Sequence, residues 1–169
     1  LYQLSWVIEQ LLADPRRIVQ ARAELHTGQQ VQYLHWDDGK MRAARVVAMA
    51  LLADGHLSMT ELHAVDTLKV TRRLGLDTSH FADVLEGFCQ DLLVSHRGPW
   101  TGSSQLDEHI RLELLHEITH PEIQQQVLNL CAALIQSDGH VADNEMLMLD
   151  ALAGAWPQRM ATNDLRTTA

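Results

Sequence analysis

An internal duplication constrains this chain more than any other feature. Asp54-Gly55-His56-Leu57, followed by Glu61, is written again 84 positions later as Asp138-Gly139-His140-Val141, followed by Glu145. The likeness extends upstream. The apolar stripe Ala43, Val47, Ala50, Leu51, which ends at Asp54, returns as Val127, Cys131, Leu134, Ile135, which ends at Asp138, and Asp66 returns as Asp150. Spacings of three and four mark one face of a helix, and a unit repeated in this way buries its apolar face against its copy. Each stripe thus delivers a carboxylate to a helix C-terminus, where the partial negative charge of the helix calls for a cation or for N–H donors.

Helical periodicity dominates the rest of the chain and strand-like alternation is absent, so the expected class is all-α: a bundle of two related helix-turn-helix hairpins about a pseudo-twofold, with seven to eight helices. Helices are expected over residues 2–13 and 15–26, the second opened by Asp14-Pro15. Further helices are expected over 41–53, 59–74 (stopped by Gly75), 78–95, 106–119, 121–136 and 143–155. Residues 1–40 read as an N-terminal helical extension and 41–156 as the duplicated domain, with copies over 41–95 and 105–156. Residues 96–104, rich in Gly, Ser and Pro, read as the linker between the copies, and 157–169 as a polar tail.

Composition narrows the function. The formal charge of −9 is uneven, with six Lys/Arg against five Asp/Glu in residues 1–50 and seven against seventeen in the remainder. An anionic surface repels phosphate backbones, which disfavours nucleic acid and leaves cations and basic partners open. Cys89 and Cys131 fall on apolar helical patterns and offer neither a disulfide framework nor paired-thiolate zinc spacing, so buried reduced thiols are expected. The longest apolar run, residues 46–53, is far short of the roughly 20 residues that span a bilayer, and no signal peptide is evident.

The repeated turns can be laid on the twelve-residue calcium loop of an EF-hand. With Asp54 at the fifth position, Gly55 is sixth and Glu61 twelfth, but the first and third positions are Ala50 and Leu52, and in the second copy Leu134 and Gln136. Half the oxygen ligands are missing, which excludes an ordinary EF-hand site. Ser58-Met59-Thr60-Glu61 is at the same time a capping box, and Asp54 can accept N–H bonds within its own turn. In the second copy Ala142 replaces the capping serine while Glu145 stays. Glu61 shares a face with Val65 and Leu68, as Glu145 does with Leu149 and Leu152, which turns both glutamates toward the core. If the hairpins pack about a pseudo-twofold, Asp54, Glu61, Asp138 and Glu145 converge, and like charges that close need protonation or a divalent metal cation.

With Ala53-Asp54-Gly55 leading to Glu61 and Ser137-Asp138-Gly139 leading to Glu145, the chain resembles the TerB-like tellurite-resistance family over residues 41–156. The resemblance implies an all-α bundle of duplicated hairpins and a noncatalytic, cytoplasmic stress-response role as a sensor or adaptor. It also implies a weak acidic metal centre at Asp54, Glu61, Asp138 and Glu145, and protein partners embedded at the inner face of the bacterial membrane.

Two further readings compete. One is a pure interaction scaffold whose acidic turns are only caps. The other starts from His116-Glu117-Ile118-Thr119-His120, which satisfies the zinc-hydrolase pattern of two histidines one helical turn apart with a glutamate base, Glu122 or Glu145 being the candidate third ligand. Pro121 follows immediately and places the pair at a helix end, which argues against catalysis. A noncatalytic zinc or nickel site on His116 and His120, helped by Glu113 or His109, is the weaker form of the same idea. His56 and His140 are expected to face solvent. Trp6, Trp100, Trp156, Met49, Met146 and Met148 are expected in core or edge packing, and Arg16, Arg17, Arg22, Arg42 and Arg45 on a solvated helix face.

Overall fold

A computed structural model describes residues 39–95 and 99–157. The expectations for helices over 2–13 and 15–26, for Trp6 and for the tail lie outside the described residues. The fold is all-α: α1 (Gly39–Leu51), α2 (Met59–Thr67), α3 (Val70–Leu74), α4 (Thr78–Ser95), a short 3-10 turn (Gly102–Gln105), α5 (Glu108–His116), α6 (Pro121–Ile135) and α7 (Asp143–Ala155), with no strand among the described residues.

Helix α1 is the axis of the bundle. Its sequence from Ala43 onward is nearly all small or apolar, and every residue from Ala43 to Leu51 is buried. Helices α4 and α6 cover most of it, and α3, α5 and α7 close the remaining sides. The two copies exchange neighbours: α2 of the first lies on α6 of the second, and α7 of the second lies on α1 of the first. That reciprocity is what a twofold between the hairpins produces. Cys89 and Cys131 are buried in this core, and burial pushes each thiol up to about 12, so neither is a reactive thiolate.

The segment expected as one helix over 59–74 is two. Lys69 takes a left-handed conformation (φ 53, ψ 43) between α2 and α3. At about 100° per residue, an unbroken helix would turn Val70 by about 80° and Leu74 by about 120° away from the face that buries Leu62. The break resets the phase, and Val70 and Leu74 both reach the core. Helix α5 is also shorter than the expected 106–119. Asp107 caps its start by accepting from the His109 amide, and it stops at His116.

The stretch read as a linker is built into the fold from Trp100 onward. A helix buried on every side has no water for its last carbonyls. Here the connection supplies donors: the Ser103 amide reaches the Leu52 carbonyl at 2.7 Å, the Ser103 hydroxyl reaches the Met49 carbonyl at 2.5 Å, and Trp100 Nε1 reaches the Gly55 carbonyl at 2.7 Å. Gly102 permits this approach, since a Cβ there would stand 1.9 Å from the Leu52 oxygen and 2.4 Å from the Gly55 nitrogen, at φ +68. Gly139 is also left-handed (φ +76), yet a Cβ there would meet nothing within 4 Å.

The contrast is measurable. Gly102→Ala should lower stability by about 3 kcal/mol or more through overlap and backbone strain together. Gly139→Ala should cost about 1 kcal/mol from backbone strain alone. Urea midpoints at unchanged m-value check both, and equal losses would show that the connection does not press on the first turn.

Candidate functional site

Both Asp-Gly turns are held by the same local bonds. Asp54 Oδ1 accepts from the His56 amide at 2.9 Å, and Asp138 Oδ1 accepts from the His140 amide at 2.8 Å. Glycine follows each aspartate because the chain there is left-handed, φ +83 at Gly55 and φ +76 at Gly139. At the start of α2 the capping box is complete: the Ser58 hydroxyl accepts from the Glu61 amide at 3.1 Å, and Glu61 Oε2 accepts from the Ser58 amide at 2.7 Å. At the start of α7 only the glutamate half exists, Glu145 Oε2 accepting from the Ala142 amide at 2.6 Å, because alanine has no side-chain acceptor.

The glutamates point inward as the helical spacing requires, each only 5% exposed, while Asp138 lies at the surface and Asp54 is half-buried. Burial raises the proton affinity of Glu61; the Ser58 bonds oppose it, and the charges of Asp54 and Glu145 add to it. Burial also raises that of Glu145; the Ala142 amide opposes it, Asp54 and Asp138 add to it, and His140 lowers it. Glu61, Glu145 and Asp54 therefore share one electrostatic neighbourhood across the two copies, which Asp138 joins through Glu145.

Sharing a field is not sharing an ion. Each of the four carboxylates already accepts a backbone amide of its own turn. Among the described residues, no group of three or more His, Cys, Asp or Glu side chains is arranged to hold a metal ion. One oxygen of each of Asp54, Glu61, Asp138 and Glu145 is thus engaged by its own turn, and among the described residues the four are not arranged as the coordination cage that a tight divalent site needs.

The zinc-hydrolase pattern meets a different obstacle. Helix α5 ends at His116, Glu117 is its C-cap, and α6 begins at Pro121 after His120, whose backbone is extended (φ −81, ψ 120). The two histidines therefore do not stand one turn apart on a helix, and both are exposed. Glu117 is taken by an ion pair with Arg45, a residue only 3% exposed, and its carbonyl accepts from Arg42 Nη1 at 3.5 Å. His109 Nε2 and Glu113 Oε1, the suggested helpers, form an exposed pair with each other at 3.1 Å.

Arg45 is not on a solvated face, contrary to expectation. It lies inside the core, where burial lowers its pKa against the favourable charges of Glu117 and Asp91. Burial likewise raises Glu117, opposed by Arg45 and Arg42, and pushes Asp91 up to about 6, opposed by Arg45. The available sequence sign was position: Arg45 sits between Ala43-Ala44 and Val46-Val47 on a helix that shows no wet side. Trp156, Met49 and Met148 are buried as expected, with Trp156 Nε1 donating to the Leu115 carbonyl at 3.1 Å, whereas Met146 is 50% exposed.

Comparison with family models, with curated proteins and with solved structures finds no match to this chain.

Glu61, Asp91, Glu117 and Glu145 all hold protons more tightly folded than unfolded. Their ionisation therefore subtracts stability above the folded pKa, and that loss is relieved as pH falls through it, near 6 for Asp91. Asp77 works the other way, held below its ordinary 3.8 by the His80 amide and the Ser79 hydroxyl, but its effect belongs to lower pH. The melting temperature should rise from about pH 7.5 to about pH 5.5, and an Asp91→Asn variant should show a shallower rise. A fall over that interval in the parent would contradict the assignment.

Proposed function

We propose that this chain is a noncatalytic helical adaptor of TerB-like type, acting in a stress response by binding protein partners, with its duplicated acidic turns serving as helix caps. One observation carries the reading. Every carboxylate that a metal or catalytic role would require is engaged in holding the fold: Asp54, Glu61, Asp138 and Glu145 on backbone amides, and Glu117 on Arg45. What the fold leaves unused is surface, notably Met59, Met146 and Leu147, each at least half exposed. Among the described residues no helix is long and apolar enough to cross a membrane.

A second reading, weak divalent-cation binding, is favoured by the mutual field of Asp54, Glu61 and Glu145. A cation beside them would relieve like-charge repulsion, at the cost of competing with the capping amides.

Thermal melting in millimolar calcium, magnesium, manganese or zinc separates the two. The adaptor reading expects shifts within about 1 °C of ionic-strength controls, for the parent and for Asp138→Asn alike. A larger stabilisation by one cation, lost in Asp138→Asn, would establish the cation reading instead.

A further inference from the structure

We propose that the open Asp138-Gly139 turn is the docking seat for an irregular segment of a partner protein that carries the sequence Trp-x-Gly-Ser; this inference rests on the adaptor reading and names the partner's chemistry. The molecule contains its own template. In the first copy the matching turn is covered by such a segment: Trp100 Nε1 donates to the Gly55 carbonyl, the Ser103 amide to the Leu52 carbonyl and the Ser103 hydroxyl to the Met49 carbonyl, with Gly102 admitting the close approach.

The two turns follow one backbone course. The Leu52 and Gln136 amides donate to the Ala48 and Ala132 carbonyls, both at 3.1 Å, and the Gly55 and Gly139 amides to the Leu52 and Gln136 carbonyls, at 3.1 and 3.2 Å. Both glycines are left-handed, φ +83 and φ +76. The Ala133, Gln136 and Gly139 carbonyls are therefore the counterparts of the three that receive the connection in the first copy. Among the described residues no donor from another element reaches them.

The surroundings match as well. Gly55 is buried, and a Cβ on it would lie 3.0 Å from both the Gly102 nitrogen and the Thr101 carbonyl carbon, whereas Gly139 is exposed and a Cβ on it would meet nothing within 4 Å. Beside Ser103 and Ser104, α7 contributes Asn144 and Leu147 to a small cavity; their counterparts across the twofold, Thr60 and His63 on α2, are exposed. Ser137 stands in the place of Ala53 and brings a buried hydroxyl with no hydrogen-bond partner, a group that an incoming backbone amide or carbonyl satisfies after one rotamer change. Gln136 replaces the buried Leu52 and is exposed, which keeps the turn soluble whenever the seat is open.

The occupant comes from another protein. Trp-x-Gly-Ser occurs once in this chain, at residues 100–103, and that segment closes the end of α1. Lending it to a second copy would leave the buried Met49 and Leu52 carbonyls without their donors.

The full chain, isotopically labelled, is titrated with a blocked synthetic peptide of residues 99–105. The expected result is saturable binding, with amide shifts centred on residues 136–140 and on Thr60 and His63, while the Gly55 and Ser103 amides stay in place. Peptides carrying Trp100→Ala or Gly102→Ala should bind at least about tenfold more weakly, the first for want of the indole donor and the second because its Cβ has no room against the turn. Gly139→Ala in the chain keeps the fold, since its Cβ meets nothing, and should weaken the parent peptide by a similar factor. No binding, shifts centred on the first turn, equal binding of either altered peptide, or undiminished affinity in Gly139→Ala would each overturn the proposal. So would self-association of the free chain abolished by Gly139→Ala, which assigns the seat to a second copy. The adaptor reading fails separately, on a cation-specific melting shift measured without peptide, so the two failures are distinguishable.

Discussion

A helix with no wet face must have its terminal carbonyls satisfied by the protein itself, and from Ala43 to its C-terminus α1 is such a helix. Its last turns are closed by the Ser103 amide and hydroxyl, which bond the Leu52 and Met49 carbonyls, and by the Gly55 amide, which also reaches Leu52. A buried carbonyl left without a donor costs about 1–3 kcal/mol, so this connection is as much part of the core as the leucines around it. The same dryness governs the side of α1 that carries Arg45. A guanidinium held there needs a counter-ion at once, and Glu117 at the end of α5 supplies it. Two otherwise unrelated details, a glycine that admits no Cβ at position 102 and a glutamate inside a histidine pair, follow from the burial of one helix.

Duplication provided the plan, and burial then broke its symmetry. The first turn is covered: Gly55 is buried under residues 100–102, and its capping box is complete. The second turn is open, with Gly139 and Asp138 exposed and only the glutamate half of the box. The retained glutamates show what the repeat is for. Each caps a helix from the inside, which removes a buried carboxylate from water while giving it an amide, and the charge of Glu145 adds to the protonation of Glu61 as that of Asp54 adds to both. Those oxygens stabilise the fold more directly than they could coordinate an ion, because an oxygen that accepts from an amide 2.6 to 2.9 Å away is only partly available.

The class, the helix order and the inward turn of Glu61 and Glu145 were legible in the sequence because all three are consequences of helical periodicity. Lys69 was not, since a left-handed lysine has no compositional mark and the break exists only to bring Val70 and Leu74 onto α1. The Gly/Ser/Pro composition of residues 96–104 marked a break between α-helices, and residues 99–104 hold no α-helix, only a 3-10 turn, but composition carries no information on where a loop packs. Asp107, three residues beyond that stretch, caps α5. The His116–His120 pattern misled because its spacing is defined on a continuous helix, and the chain turns between α5 and α6 there. Arg45 was misplaced for the converse reason: a charge is ordinarily read as a surface mark, and its partner Glu117 is 72 positions away.

The central claim is that α1 is sealed at its C-terminal end by donors from the connection. Native-state hydrogen exchange at the Ser103 amide tests this most directly. If Ser103 is the cap, its amide exchanges only on global unfolding, with the same free energy as core amides such as Val47 and Ala48. Exchange of Ser103 while those core amides stay protected would contradict the claim, because it would show the connection leaving α1 with the bundle intact.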